Sequence, residues 1–270
     1  MNSVYPIGVF DSGVGGLSVL RDIRRELAHE DLLYVADSVH APYGDKTAAF
    51  IESRSIAIAQ FLLNQQVKAI VVACNTATAA AVAALRARFP VPIIAMEPAV
   101  KPAVSQTKSG VVGVMATRRT VASENFLNLL ERFGGAVEIV VQPCPGLVEQ
   151  VEAGDLSGAA TQTLLREYVL PLLERGADTI VLGCTHYPFL APLIQQLAGS
   201  AVAILDPGEA IARELRRRLD ANGLLCREPR LGVERFWTSD SPDKAQALLS
   251  CLWGQAVEAQ LLPEPYRLPA

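Results

Sequence analysis

"AIVVACNTATAAA", residues 69–81, reads as a strand running into a helix. Residues 69–73 are β-branched or small and apolar, with no polar alternation, the pattern of a strand buried on both faces. The run stops at Cys74, a polar pair follows at Asn75 and Thr76, and an alanine-rich helical stretch begins. "TIVLGCTHYPFL", residues 179–190, repeats the plan, with Cys184 at the strand end and Thr185 and His186 behind it. A strand buried on both faces and followed at once by a helix belongs to a parallel sheet covered by helices.

Outward from these two stretches the same alternation continues. Strands are expected at 4–10, 31–36, 69–73, 92–95, 110–115, 137–142, 179–182 and 202–205, with helices between them. Leu17, Leu20, Ile23 and Leu27 form one helical stripe, and Phe126, Leu130 and Phe133 another. Asp206 to Glu209 reads as a capped helix start, as do Ser241 and Pro242.

There is an internal echo. Cys74 and Cys184 stand 110 residues apart, and Gly8 of "IGVFDSGVGG" and Gly113 of "VGVMATRRT" stand 105 apart. Two similar spacings predict two related α/β halves, not a short-period solenoid. Ligands of open α/β sheets bind beyond the carboxyl ends of the strands. Two halves facing each other therefore bring both strand-end thiols to one cleft.

The composition excludes several classes. Half of the 270 residues are hydrophobic and 19% are charged, which suits a packed core and not disorder. A net charge of −4 gives no nucleic-acid footprint. "RRRL" at 216–219 reads as a solvated helix face. No basic segment precedes a long apolar run at the start, and the apolar stretch 69–85 is too short and polar to span a bilayer. No membrane partner is expected, and a cytoplasmic location follows. Five cysteines make no disulfide framework and are expected as free thiols.

Cys144, Cys226 and Cys251 read as small buried hydrophobes. Cys74 and Cys184 differ, because each is expected where the N–H groups of a following helix favour a thiolate. Zinc is disfavoured: Cys184 and His186 are one residue apart, with no C-x-x-C beside them. "GVGG" lacks phosphate-loop spacing and reads as a tight strand-to-helix connection. Asp11 at that strand end either caps the helix or takes a proton or an ammonium group. "APYGDK", 41–46, reads as a loop, and Glu149 and Glu152 as solvated helix residues. His29 and His40 read as surface or loop positions, leaving His186 as the histidine tied to a thiol.

Two thiols across a cleft can take a proton from one face of a carbon and return one to the other face. Small hydroxyls, amides and helix N-termini around them suit an anionic ligand.

The motifs "GVFDSGVGGLSVL", "YVADSVHAPYGDKT", "IVVACNTATA", "EPAVKPA", "GVMATRRTV", "LVEQVEAG", "LGCTHYPFL" and "DPGEAIA" run in order over about residues 7–212. In this the chain resembles the glutamate racemases of the aspartate/glutamate racemase superfamily. The resemblance implies two pseudo-symmetric, doubly wound α/β domains with mainly parallel sheets and the active site between them. One is expected over 1–97 and 208–270, the other over 98–207. It implies cofactor-independent interconversion of L- and D-glutamate for peptidoglycan, hence for cell-wall biogenesis and cell shape.

By the same resemblance Cys74 and Cys184 are the acid–base thiols. Asp11 assists on the Cys74 side, and His186 and Glu152 on the Cys184 side. Asp11, Ser12, Tyr43, Gly44, Asn75, Thr76, Thr185 and His186 line the substrate pocket. The small-molecule partner is glutamate, no metal is expected, and a homodimer is compatible with the reading. Where such enzymes often read "GDTARxPYG", this chain has "ADSVHAPYG", so Ala36, Ser38 and His40 differ. Few residues precede the first strand, so activation by a cell-wall precursor through an N-terminal extension is not expected.

Three other readings compete. One is a superfamily racemase or isomerase acting on aspartate or another small diacid. Another is a two-lobed binding protein, which has no use for paired thiols. The third is a pyridoxal-phosphate racemase, which needs a Schiff-base lysine among Lys46, Lys68, Lys101, Lys108 and Lys244.

Overall fold

The computed structural model describes residues 2–135 and 137–267. The first half of the chain runs β1 Ile7–Asp11, α1 Leu17–Glu26, β2 Leu32–Ala36, α2 Ala48–Asn64, β3 Ala69–Val72, α3 Asn75–Arg88, β4 Ile93–Ala95 and α4 Val100–Gln106. Next come β5 Val111–Ala116, α5 Arg118–Val121, α6 Glu124–Phe133, β6 Glu138–Pro143, α7 Leu147–Glu152, α8 Ala159–Glu174, β7 Thr179–Leu182, α9 Ala191–Ala198 and β8 Ala203–Leu205. It ends with α10 Gly208–Ala221, β9 Glu234–Thr238, α11 Pro242–Trp253, β10 Ala259–Leu261 and α12 Glu264–Arg267.

Two all-parallel sheets result. One has the order β10-β9-β2-β1-β3-β4, the other β6-β5-β7-β8. The run β2-β1-β3-β4 in the first matches β6-β5-β7-β8 in the second, so the halves repeat the same winding. The fold is thus the pseudo-symmetric α/β arrangement expected from the spacings.

The echo extends to side chains. Gly8 on β1 faces Leu62 of α2, and Gly113 on β5 faces Leu172 of α8. A Cβ at either glycine would stand 2.9 Å from a leucine methyl. In each half a glycine on the central strand lets the covering helix settle against the sheet. β1, β2 and β3 are buried along their whole length, as strands covered on both faces must be.

Eight expected strands are present, with bounds shifted by at most three residues and β7 matched at both ends. β9 and β10 were not expected, and they extend one edge of the larger sheet. β9 opens on half-buried Glu234 and exposed Arg235, and β10 is three residues long, so neither carries a long apolar run. Ser241 sits at the N-cap of α11, but its side chain makes no capping bond. At α10 the cap comes from Asp206, whose Oδ1 accepts from Gly208 N at 2.9 Å. Among the described residues no helix is long and apolar enough to cross a membrane.

Candidate active site

Both sheets point the carboxyl ends of their central strands at one small cavity. The larger sheet supplies Ser12, Tyr43, Gly44, Cys74, Asn75 and Thr76 as one wall, with Pro42 beside them. The smaller sheet supplies Thr117, Val148, Cys184, Thr185 and His186 as the other. The two strand-end thiols therefore meet at one cavity, one from each half. A larger groove between α3 and α6 takes in Asn75 and Thr120 but neither thiol.

Cys74 is the N-cap of α3, and Ala77 N donates to its Sγ at 3.4 Å. The thiol itself donates to Ser12 Oγ at 3.7 Å. Burial and then the neighbouring Asp11 charge push the Cys74 thiol well above its ordinary pKa, against the helix N–H. Cys184 departs from expectation. It is followed by a 3₁₀ turn, Tyr187–Leu190, not by an α-helix N-terminus. Its polar neighbour is His186, whose Nδ1 lies 3.7 Å from Sγ.

The other face of that imidazole is held by Glu152. His186 Nε2 donates to Glu152 Oε1 at 2.6 Å, and Val14 N donates to the same oxygen at 2.7 Å. Burial works against the imidazolium, but the hydrogen bonds and charges of Cys184 and Glu152 outweigh it and hold His186 well above the usual histidine range. Glu152 ends α7 on the smaller sheet, so its bond to Val14 also ties the two halves together.

Asp11 stands behind the cavity wall. Its Oδ2 accepts from Gly16 N at 2.9 Å and Gly13 N at 3.4 Å, so it shapes the glycine turn. Thr185 Oγ1 also reaches it from the opposite half at 3.5 Å. Burial raises its carboxyl pKa, with His186 and the Cys74 bond opposing.

The glycines of "GVGG" do more than turn the chain. A Cβ on Gly13 would stand 1.9 Å from Glu152 Oε1, and one on Gly15 2.2 Å from His186 Nδ1. They are glycine because side chains from the other half press on the turn. Tyr34 locks the turn from beneath, donating to Gly13 O at 2.7 Å.

Tyr43 is placed by a buried network. Its hydroxyl donates to Asp37 Oδ2 at 2.6 Å, and Arg54 Nε and Nη2 donate to the same carboxylate at 3.0 and 2.9 Å. His40 Nδ1 lies 3.0 Å from Asp37 Oδ1, and its ring packs on Phe50. His40 is thus a buried partner of Asp37: it lies in the loop between β2 and α2, one of the two places expected, but not on the surface.

Asn75 carries a buried amide whose Nδ2 and Oδ1 have no protein partner among the described residues. Thr76, Thr117 and Thr120 form a triangle of hydroxyls 3.0–3.2 Å apart, which joins the two halves. Thr117, Thr120, Val148 and Pro42 were not expected here. "GVMATRRTV" and "APYGDK" contain three of them, but nothing in their residue types separates them from ordinary cap and loop positions.

Cys144 and Cys226 are buried as expected, but Cys251 is exposed. Among the described residues no cluster of His, Cys, Asp and Glu is placed to hold a metal ion. Lys68 is buried against Glu30 and Ser3 O, away from the cavity.

The profile of the family described as Asp/Glu/Hydantoin racemase matches residues 7–215. The glutamate racemase of Methylococcus capsulatus is 58% identical over 259 residues, 96% of each chain. The crystal structure of a glutamate racemase from Bacillus anthracis superposes with a TM-score of 0.88 at 32% identity, covering 98% of this chain and 99% of that one. A glutamate racemase from Escherichia coli, solved with L-glutamate and the activator UDP-MurNAc-Ala, superposes at 0.81 with 31% identity over 95% of this chain and 97% of its own.

Proposed function

Since the chain belongs to the Asp/Glu/hydantoin racemase family and is an enzyme of the isomerase class, we propose that it interconverts L- and D-glutamate with Cys74 and Cys184 as its two acid–base groups. The observation that carries this reading is the pair of strand-end thiols, one from each half, lining one cavity. A substrate Cα held between them has its hydrogen facing one sulfur and its open face toward the other. One sulfur, as thiolate, takes the proton; the other, as thiol, returns one to the opposite face. The configuration inverts, and no atom of the substrate is exchanged except that hydrogen.

The surroundings support unequal roles. A thiolate at Cys184 faces the His186 ring, which its partners hold cationic, whereas a thiolate at Cys74 faces the Asp11 carboxylate. Cys74 is thus the thiol at rest, and Cys184 is the sulfur beside the cation. The Asn75 amide and the hydroxyls of Ser12, Thr76 and Thr185 take the substrate's charged groups. Tyr43 and Gly44 close the side of the pocket. A buried amide without protein partners fits such a ligand contact.

The proposed domain division is 1–97 with 208–270, and 98–207. The supply of D-glutamate for peptidoglycan, in the cytoplasm, is the role consistent with relatives named as glutamate racemases. The test is chirally resolved turnover of L-glutamate and L-aspartate by chelator-treated protein. Inversion of glutamate in preference to aspartate is expected; no inversion of glutamate overturns the proposal.

A further inference from the structure

We propose that Asp37 and Arg54 are positioning residues for the Tyr43–Gly44 wall of the cavity, and that Arg54 makes the C-terminal segment of the chain part of that wall's support. The proposal rests on the reading above, in which glutamate binds at this cavity.

The wall lies in the stretch between β2 and α2. Its regular structure amounts to two single 3₁₀ turns, Ser38–His40 and Tyr43–Asp45, and neither has a side-chain cap. Elements so short are not held by their own backbone bonds, so the shape of the wall comes from what surrounds it. It has little slack: a Cβ on Gly44 would stand 3.2 Å from Thr117 Cβ in the opposite half.

The support converges on Asp37. Tyr43 donates its hydroxyl to Oδ2 at 2.6 Å, and Arg54 grips both carboxylate oxygens, Nε on Oδ2 at 3.0 Å and Nη2 on Oδ1 at 2.9 Å. Burial opposes the carboxylate, but the bonds from His40, Arg54 and Tyr43 outweigh it and hold Asp37 below the usual carboxyl range. The Tyr43 hydroxyl is committed to this charge, so what Tyr43 offers a ligand is not its hydroxyl.

Arg54 reaches further than the wall. The same Nη2 donates to Tyr266 O of α12 at 2.7 Å. Tyr266 is fixed in turn: Asn64 Nδ2 donates to its hydroxyl at 2.6 Å, and its ring packs on Phe61 with centroids 5.6 Å apart. A second tie comes from just past β9, where Ser239 Oγ accepts from Val39 N at 3.1 Å. Ser239 and Tyr266 both lie beyond residue 215, where the family profile ends. The wall on the Cys74 side therefore leans on a part of the chain outside the matched region.

Steady-state kinetics separates this role from a merely structural one. Loss of folded enzyme lowers the apparent kcat and leaves KM as it was. A displaced wall weakens ground-state and transition-state binding alike and raises KM. Tyr43→Phe cuts the hydroxyl link and keeps the ring, and Arg54→Lys keeps the charge and loses the fork. Each should raise KM for glutamate roughly threefold to tenfold, about what one hydrogen bond supplies, with kcat nearly unchanged. The double variant should raise KM no more than the worse single one, because both changes act through Asp37 on one wall. An unchanged KM in Arg54→Lys, or KM factors that multiply in the double variant, overturns the proposal and leaves Arg54 a structural residue. If Arg54→Lys folds poorly, Asp37→Asn combined with Arg54→Met leaves no member of the pair charged and carries the same measurement: a raised KM supports the proposal, and an unchanged one overturns it. Failure of the wild type to racemise glutamate is a separate outcome and overturns the reading on which the proposal rests.

Discussion

Gly15 and His186 touch across the two halves of the molecule: a Cβ on Gly15 would stand 2.2 Å from Nδ1, the nitrogen that faces Cys184. The glycine is therefore a condition for the histidine's position. Gly15→Ala must displace either the turn or the ring. A shift of about 1 Å in a catalytic group can cost around 10²-fold in rate, and overpacking costs about 1–3 kcal/mol of stability. Steady-state racemisation and thermal melts of Gly15→Ala should show both losses. Gly135→Ala, with nothing within 4 Å of the added carbon, is the control and should show neither. Wild-type turnover in Gly15→Ala would mean that His186 does not need its place.

Each thiol is expected to be indispensable, because in the proposed mechanism each serves one face of the carbon. Cys74→Ser and Cys184→Ser should each lose at least the roughly 10²–10⁴-fold that a positioned acid–base group supplies, with the fold intact by circular dichroism. Cys226→Ser and Cys251→Ser should leave turnover near that of the wild type. Near-normal racemisation by either strand-end variant would sink the two-thiol mechanism.

The parts of the site that could be read from the chain are those fixed by local structure. Cys74, Asn75 and Thr76 follow directly from a buried strand ending in a helix, and their places need no knowledge of the other half. Thr117 and Val148 were not legible, because they become cavity residues only when the second sheet faces the first. The glycine turn illustrates the difference. Its tight geometry is written in "GVGG", but the reason for Gly13 and Gly15 lies in Glu152 and His186, more than a hundred residues away. The burial of His40 was not legible, because it depends on Asp37 and on the packed face of α2. Cys251 was misread because a thiol on the exposed side of α11 looks, in sequence, like any small apolar residue.

Asp37 and Arg54 form an ion pair with no exposed side-chain surface, so breaking it on one side leaves a buried charge. Arg54→Met should lower stability by about 3–5 kcal/mol in denaturant unfolding. The double variant Asp37→Asn with Arg54→Met should regain part of that loss. Equal destabilisation of the single and double variants would show that the arginine contributes packing and not charge compensation.

Asp22 offers a pH test away from the cavity. Burial, followed by repulsion from Asp206 and Glu209, raises its carboxyl to about 6 from 3.8 in the unfolded chain. A carboxyl raised on folding favours the folded state while protonated. Its cost therefore grows as pH rises from about 4 to about 6 and is complete above that. With allowance for solvent screening of a partly exposed group, the cost at pH 8 is about 1 kcal/mol. Asp22→Asn should raise the melting temperature at pH 8 and change it little at pH 4. A gain of equal size at both pH values would assign the effect to packing.

The origin of the proton delivered to Cα decides whether two groups act or one. In the proposed two-thiol mechanism, with Cys74 and Cys184 lining the cavity from the two halves, the proton taken from the substrate rests on one sulfur, and the proton returned comes from the other. In D₂O the returning sulfur carries deuterium before the substrate binds. Either enantiomer of glutamate should thus give product with deuterium at Cα, while unreacted substrate gains little at early times. Starting from one enantiomer, the optical signal should cross zero and swing to the opposite sign before it settles. The reason is kinetic: protonated substrate reacts faster than deuterated product returns, so product accumulates beyond half. Mass spectrometry of each enantiomer, with polarimetry on the same samples, reads both effects. A single base carrying one proton to and fro would keep the original hydrogen in early product and give no swing. That result would leave one of the two cysteines without its part in the chemistry.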